Sequence, residues 1–214
     1  MSNNTDTVQS DLVVKQAAKS PITFGQSGVQ LASLEDAFRF ANAICASGFA
    51  PRGMEKPESV LIALQWGAEL GLTPMAGLTN IAVVNGRPAL FGDAALALVR
   101  SSGQLEDYKE EETGEAGKDS YGWKVIVKRK NQSPQSETFT VADAKAAKLW
   151  GKTGPWTDYP RRMLKFRARG FVLRDTFGDI LKGLRTAEEV RDMPEPVNVT
   201  PLAEKVAAGL TSNI

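Results

Sequence analysis

Residues 80–91 interrupt the periodicity of this sequence. On either side apolar residues recur every three or four positions, as in helices. Within the stretch, Ile81-Ala-Val-Val84 and Ala89-Leu-Phe91 flank Asn85-Gly86. Asn-Gly between two apolar runs is the strongest short-range hairpin signal, because both residues tolerate the positive φ of a two-residue turn. Pro88 has no N–H to give a ladder, so it belongs on an edge strand or among a strand's first residues. A hairpin between helical stretches points to the α+β class, with helices packed around a small antiparallel sheet.

The flanking patterns supply the other elements. From Ser33 the residues Leu34, Ala37, Phe38, Ala41 and Cys45 follow helical spacing, and Gly48 offers a stop. A second helix opens at Pro57 with Val60, Leu61, Leu64 and Ala68 on one face. Ile62, Trp66 and Leu70 make other faces apolar too, and Gly71 closes it. Asp93 is placed to cap a third helix that ends near Gly103. Strands are expected over 105–112 and 123–130, where Trp123, Val125 and Val127 alternate, and over 137–141. Helices are expected over 141–150 and 160–177. Polar residues 1–30 read as a flexible N-terminal arm and 31–192 as a single core domain. Residues 193–214 read as a Pro-containing linker with a short helix over 202–210.

Composition narrows the chemistry. The chain has 214 residues, no histidine and one cysteine. Imidazole general bases, Ser-His-Asp or Cys-His machinery, internal disulfides and thiolate-cage zinc sites are therefore excluded. Cys45, among Phe38, Phe40 and Ile44, reads as a small buried hydrophobe. The first residues lack a basic segment followed by an apolar run, and no stretch approaches a membrane span. A cytoplasmic protein without membrane contact is the expectation.

A net charge of +1 conceals a polarised sequence. Eleven basic residues and three acidic ones lie between Lys145 and Arg185, so this segment carries +8 and the remainder −7. Part of the compensation is the acidic run Glu106-Asp-Tyr-Lys-Glu-Glu-Glu112. Trp150, Trp156, Tyr159, Phe166 and Phe171 interleave the cations, which is the composition of a single-strand binder; a solvated face bridged to the acidic run is the alternative. Over 160–177, Arg161, Arg162, Lys165 and Arg169 fall within an arc of about 100°, while Arg167 and Arg174 lie nearly opposite. The first face can be solvated. The second must find buried acids or an anionic ligand.

Catalytic patterns are weak by comparison. Ala146 to Thr153 fits a relaxed phosphate loop, yet helical residues precede it and Gly154-Pro155 interrupts it. Asp93 with Asp107 and Lys109 resembles the acid and acid-x-Lys set of Mg²⁺-dependent nucleases, with a helix end and a solvated strand as the structural alternative. The hairpin tip at Arg87 reads as solvated, with DNA or a neighbouring subunit as the other possibility.

The segment Gly154-Pro155-Trp156-Thr-Asp-Tyr-Pro160-Arg161-Arg162-Met163-Leu164-Lys165 resembles the RecT/Redβ family of phage single-strand annealing proteins (recombinases). Leu70-Gly-Leu-Thr-Pro74, the hairpin, the helix over 92–103 and Leu184-Arg-Thr-Ala-Glu-Glu-Val190 follow the family's order, so the resemblance covers roughly 35–192. It implies an oligomeric ring or filament that binds single-stranded DNA and anneals complementary strands in homologous recombination, without ATP. It leaves Mg²⁺ dependence open. Carried over, the DNA-binding residues are Arg161, Arg162, Lys165, Arg167 and Arg174, with Lys152 in support. Trp156 and Phe166 could serve as base-stacking platforms, but large aromatics usually fill cores, and core packing is the expectation for both. A phage exonuclease and a host single-strand binding protein are implied partners, although the stretch after Arg191 is shorter than the region family members use for them. A Mg²⁺-dependent nuclease and a structural oligomerisation protein remain the alternatives.

Overall fold

Ser33 starts the first long helix. Its Oγ accepts from the Asp36 N–H at 3.1 Å, and α1 (Leu34–Ala46) runs until Gly48, whose φ of +73° suits a residue without Cβ. The computed structural model describes residues 23–25, 28–84 and 86–193, and the expectations for the two ends of the chain lie largely outside them. One part of the expected arm is structured: β1 (Thr23–Gly25) and β2 (Gly28–Gln30) pair as a small antiparallel hairpin. The expected helix over 202–210 lies outside the described residues.

Helix α2 (Pro57–Glu69) begins on proline, as expected, and packs on α1 and on a short α3 (Pro74–Asn80). A Cβ on Gly67 would lie 2.9 Å from the Gly77 Cα, so α2 and α3 touch backbone to backbone. The hairpin follows as β3 (Ile81–Val84) and β4 (Arg87–Leu90), with Val84 opposite Arg87. Pro88 is the second residue of its strand. Helix α4 (Gly92–Ser101) differs from expectation at its start. Phe91 is the residue before the helix and makes no side-chain cap, while Asp93 sits inside the first turn and points its carboxylate elsewhere.

Three antiparallel strands form the larger sheet in the order β5 (Leu105–Thr113), β6 (Gly122–Arg129), β7 (Gln135–Thr140). Val125 and Val127 are fully buried on one face of β6. A capping box ends the sheet segment: the Thr140 Oγ1 accepts from the Asp143 N–H, and Asp143 accepts from the Thr140 N–H, which opens α5 (Val141–Ala146). A single turn, α6 (Pro155–Asp158), leads into α7 (Pro160–Phe177), which lies across β6 and β7. The chain then forms α8 (Ala187–Asp192), started by Thr186 capping the Glu189 N–H.

Helix α7 is the centre of the molecule. Leu164, Ala168 and Phe177 are fully buried, within a core that extends from α1 through the sheet to Leu184. Each such leucine or phenylalanine contributes about 1.5–3 kcal/mol by leaving water. Ala82, Ala89, Ala187 and Val190 form a separate, smaller cluster between the hairpin and α8. The α+β class stands, as one domain of helices around small antiparallel sheets. No helix among the described residues is long and apolar enough to cross a membrane.

Candidate nucleic-acid interface

The cations of α7 leave the helix in two directions, as its period requires. On one side Arg161, two-thirds exposed, pairs with Glu112 of β5, and Arg162 meets Asp93 at 3.3 Å. Lys165 lies 3.6 Å from Glu110. Arg169, whose side chain is 6% exposed, bridges Asp93 at 2.8 Å and Glu110 at 2.7 Å. On the other side Arg167 pairs with Asp192 and Arg174 with Glu189, both acids of α8. The choice between buried acids and an anionic ligand is therefore filled, in this structure, by buried acids.

Electrostatics hold the first network together. Burial works against the Glu110 carboxylate, but the Tyr108 hydroxyl, Arg169 and Lys165 outweigh it and hold its pKa below the usual range. Tyr108 is pushed up by burial and by Glu110, so it stays a phenol and donates to that carboxylate. Beyond the helix, two N–H groups of Arg129 grip Asp179, each at 2.7 Å, and hold its carboxyl at about 2. That pair fastens the segment after α7 to β6.

These contacts correct several expectations. Arg167 is 8% exposed and Arg174 is held by a buried glutamate, so neither offers an open phosphate contact here. Trp156 and Phe166 are 3% and 7% exposed. Trp156 stands 6.4 Å from the Phe139 ring and donates its Nε1–H to Asp192 at 2.9 Å, while Arg162 and Arg169 cover Phe166. Both rings pack, as expected of large aromatics, and the stacking alternative is the one corrected: neither is an open platform for a base. Lys152, half exposed, lies 3.3 Å from Asp192. Lys152, Arg161 and Arg162 are thus the implied contacts that solvent reaches freely, and Lys165 is reached in part.

The nuclease set is not assembled. Tyr108 and Glu110 face Arg169 and, through it, Asp93. Asp107 and Lys109 alternate with them and so lie on the other face of β5, where Lys109 pairs with Glu111. The phosphate-loop pattern is also placed as expected, behind the helical α5.

Two grooves meet beside α8. A cleft of about 520 Å³ opens among Phe91, Lys152, Tyr159, Arg162 and Arg191, with Trp156 and Phe166 in its wall. A second, of about 550 Å³, lies between Arg52 and the hairpin strand β3. Phe91 and Arg191 line both, so the two grooves share a wall in which the Arg191 guanidinium lies 5.8 Å from the Phe91 ring. Arg185 and Arg191 form no ion pair among the described residues, Arg52 acts on Glu55 only at longer range, and Arg87 and Arg185 both direct a guanidinium N–H at the Met193 sulfur. This band of cations was mostly missed from sequence. Arg87 was visible at the hairpin tip, and Thr186-x-x-Glu189 is a cap signal that would have put Arg191 on a helix beside it. Nothing in the sequence singles out Arg52. Comparison with known protein families, with curated proteins and with solved structures returns no match to this chain.

Proposed function

We propose that this protein binds single-stranded DNA along the groove from Lys152 and Arg162 past Arg191 to Arg52, and anneals complementary strands without nucleotide hydrolysis. The observation that carries the reading is the pair of adjoining grooves that share Arg191, with Arg191 and Arg52 in no ion pair among the described residues. The likeness of residues 154–165 to the RecT/Redβ family supports the same activity. Phosphate contacts position a strand without reading its sequence, so binding is sequence-tolerant. The protein's contribution is charge neutralisation, extension of the strand and suppression of its self-structure, while base pairing supplies the specificity. Neither imidazole nor thiolate chemistry is needed for that task.

In this reading the protein acts as a homo-oligomer, a ring or filament, in the cytoplasm of a bacterial host, with a phage exonuclease and the host single-strand binding protein as partners. Exposed Phe24, Leu34, Phe38 and Phe49 on β1, α1 and its C-terminal loop supply apolar surface for subunit contact. Two labelled complementary oligonucleotides, mixed with the protein and no nucleotide, test the activity. Duplex formation should accelerate with both strands intact, and Arg52→Ala with Arg191→Ala should slow it and lower the salt slope of binding by about one unit per contact. No acceleration by the unaltered protein would overturn the reading, and shortened strands in Mg²⁺ would replace it with a nuclease.

A further inference from the structure

Helix α8 inserts carboxylates among positively charged groups that belong to other elements. Asp192 receives three donors on one carboxylate: Lys152 at 3.3 Å, Trp156 Nε1–H at 2.9 Å and the Arg167 guanidinium. Glu189, one turn earlier, holds Arg174. Glu188 sits beside the first turn of α4, its Oε2 lying 3.4 Å from where a Cβ on Gly92 would be. That helix has no side-chain cap, so its first N–H groups and its dipole attract a negative charge. Lysine, arginine, an indole N–H and a helix N-terminus converging on acids are also the donors that bind a phosphodiester.

The seat is incomplete in ways a permanent structural contact would not be. Glu188 Oε2 and Glu189 Oε1 are buried and have no hydrogen-bond partner among the described residues. Leaving a buried carboxylate oxygen unpaired is costly and favours release. The helix has six residues, too few to persist without its contacts. Its apolar anchorage is the small cluster with Ala82 and Ala89, apart from the main core.

We propose that the trough formed by Lys152, Arg167, Arg174 and the start of α4 is a phosphate-binding site that α8 fills in the DNA-free protein. The inference rests on the single-strand DNA reading and adds its regulation: the chain's own carboxylates compete with the strand. DNA phosphates displace Asp192 and Glu189, α8 moves off α7 while its Arg191 stays on the strand, and Arg167 and Arg174, about 10 Å apart along α7, become strand contacts. Only a strand bearing several phosphates in series replaces all three acids, so short oligonucleotides bind disproportionately weakly.

Hydrogen–deuterium exchange of the full chain with and without saturating oligo(dT) tests this, beside the affinities of Asp192→Asn with Glu189→Gln. Amides of 187–192 should exchange faster when DNA is bound, and the neutral variant should bind about tenfold more tightly at low salt, since repulsion and competition are both removed. Unaltered or slower exchange of 187–192 in the complex overturns the inference, whatever the variant's stability. Weaker or equal binding by a variant that retains its fold does the same. Failure of every form to bind oligo(dT) would instead refute the single-strand DNA reading on which the inference stands.

Discussion

Arg169 and Arg162 share Asp93 but do different work. Arg169 is buried between Asp93 and Glu110, while Arg162 and Asp93 are both mostly exposed at their shared contact. Removing one partner of a buried ion pair leaves the other charge stranded, whereas an exposed pair is screened by water. Arg169→Ala should therefore lower unfolding stability by about 3–5 kcal/mol in urea titrations. Arg162→Ala should cost less than about 1 kcal/mol and weaken oligonucleotide binding instead. Equal losses in the two variants would show that Arg169 is not the buried bridge described here. The faces of these arginines were legible in the sequence, because the helical period alone separates 161, 162, 165 and 169 from 167 and 174. Their partners were not. Asp93, Glu110 and Asp192 reach α7 from α4, β5 and α8, and only the tertiary packing decides which acid meets which arginine. The same limit governs Trp156 and Phe166, whose ring chemistry suits stacking or packing equally until their burial is known.

The long helices announced themselves and three short ones did not. The bounds of α7 and the start of α2 follow from proline at the first turn and a sustained apolar period. Helices α3, α6 and α8, of seven, four and six residues, complete too few turns to display a period. Their start signals, Thr73-Pro74, Gly154-Pro155 and Thr186-x-x-Glu189, are local and easily mistaken for loops. The contact between α7 and α8 passes through Gly170. A Cβ there would lie 2.5 Å from Glu189 Oε1 and 3.3 Å from Thr186 Cγ2. Gly170→Ala should gain about 1 kcal/mol of helix propensity in α7 yet push the start of α8 away from its seat. The expected outcome is faster amide exchange over 187–192 in the free protein, with the amides of β6 unchanged. Slower exchange over 187–192 would mean that Glu189 moves aside without disturbing the helix.

The polarised sequence folds into a largely self-neutralised interior. Glu110 and Glu112 of the acidic run take Lys165, Arg169 and Arg161, so part of the +8 segment is balanced by the run that seemed to oppose it. Among the described residues Arg87, Arg191 and Arg52 form no ion pair, while Phe24, Leu34, Phe38 and Phe49 on β1, α1 and the loop after it are exposed. Phe24 is 82% exposed, Leu34 73% and Phe49 76%. Apolar surface left exposed among the described residues is the kind buried between subunits, and the grooves beside α8 use other side chains. On the proposed reading, assembly and DNA binding should therefore separate by mutation. Leu34→Asp with Phe49→Asp should leave the melting temperature nearly unchanged, because both side chains are already in water, and should shift sedimentation toward the 23.1 kDa single chain. Arg52→Ala with Arg191→Ala should leave the assembled mass intact. A protein that sediments as a single chain before any substitution would remove these side chains from a subunit interface. A loss of assembly in the arginine variant would instead join the two surfaces into one, with the groove completed by a neighbouring copy.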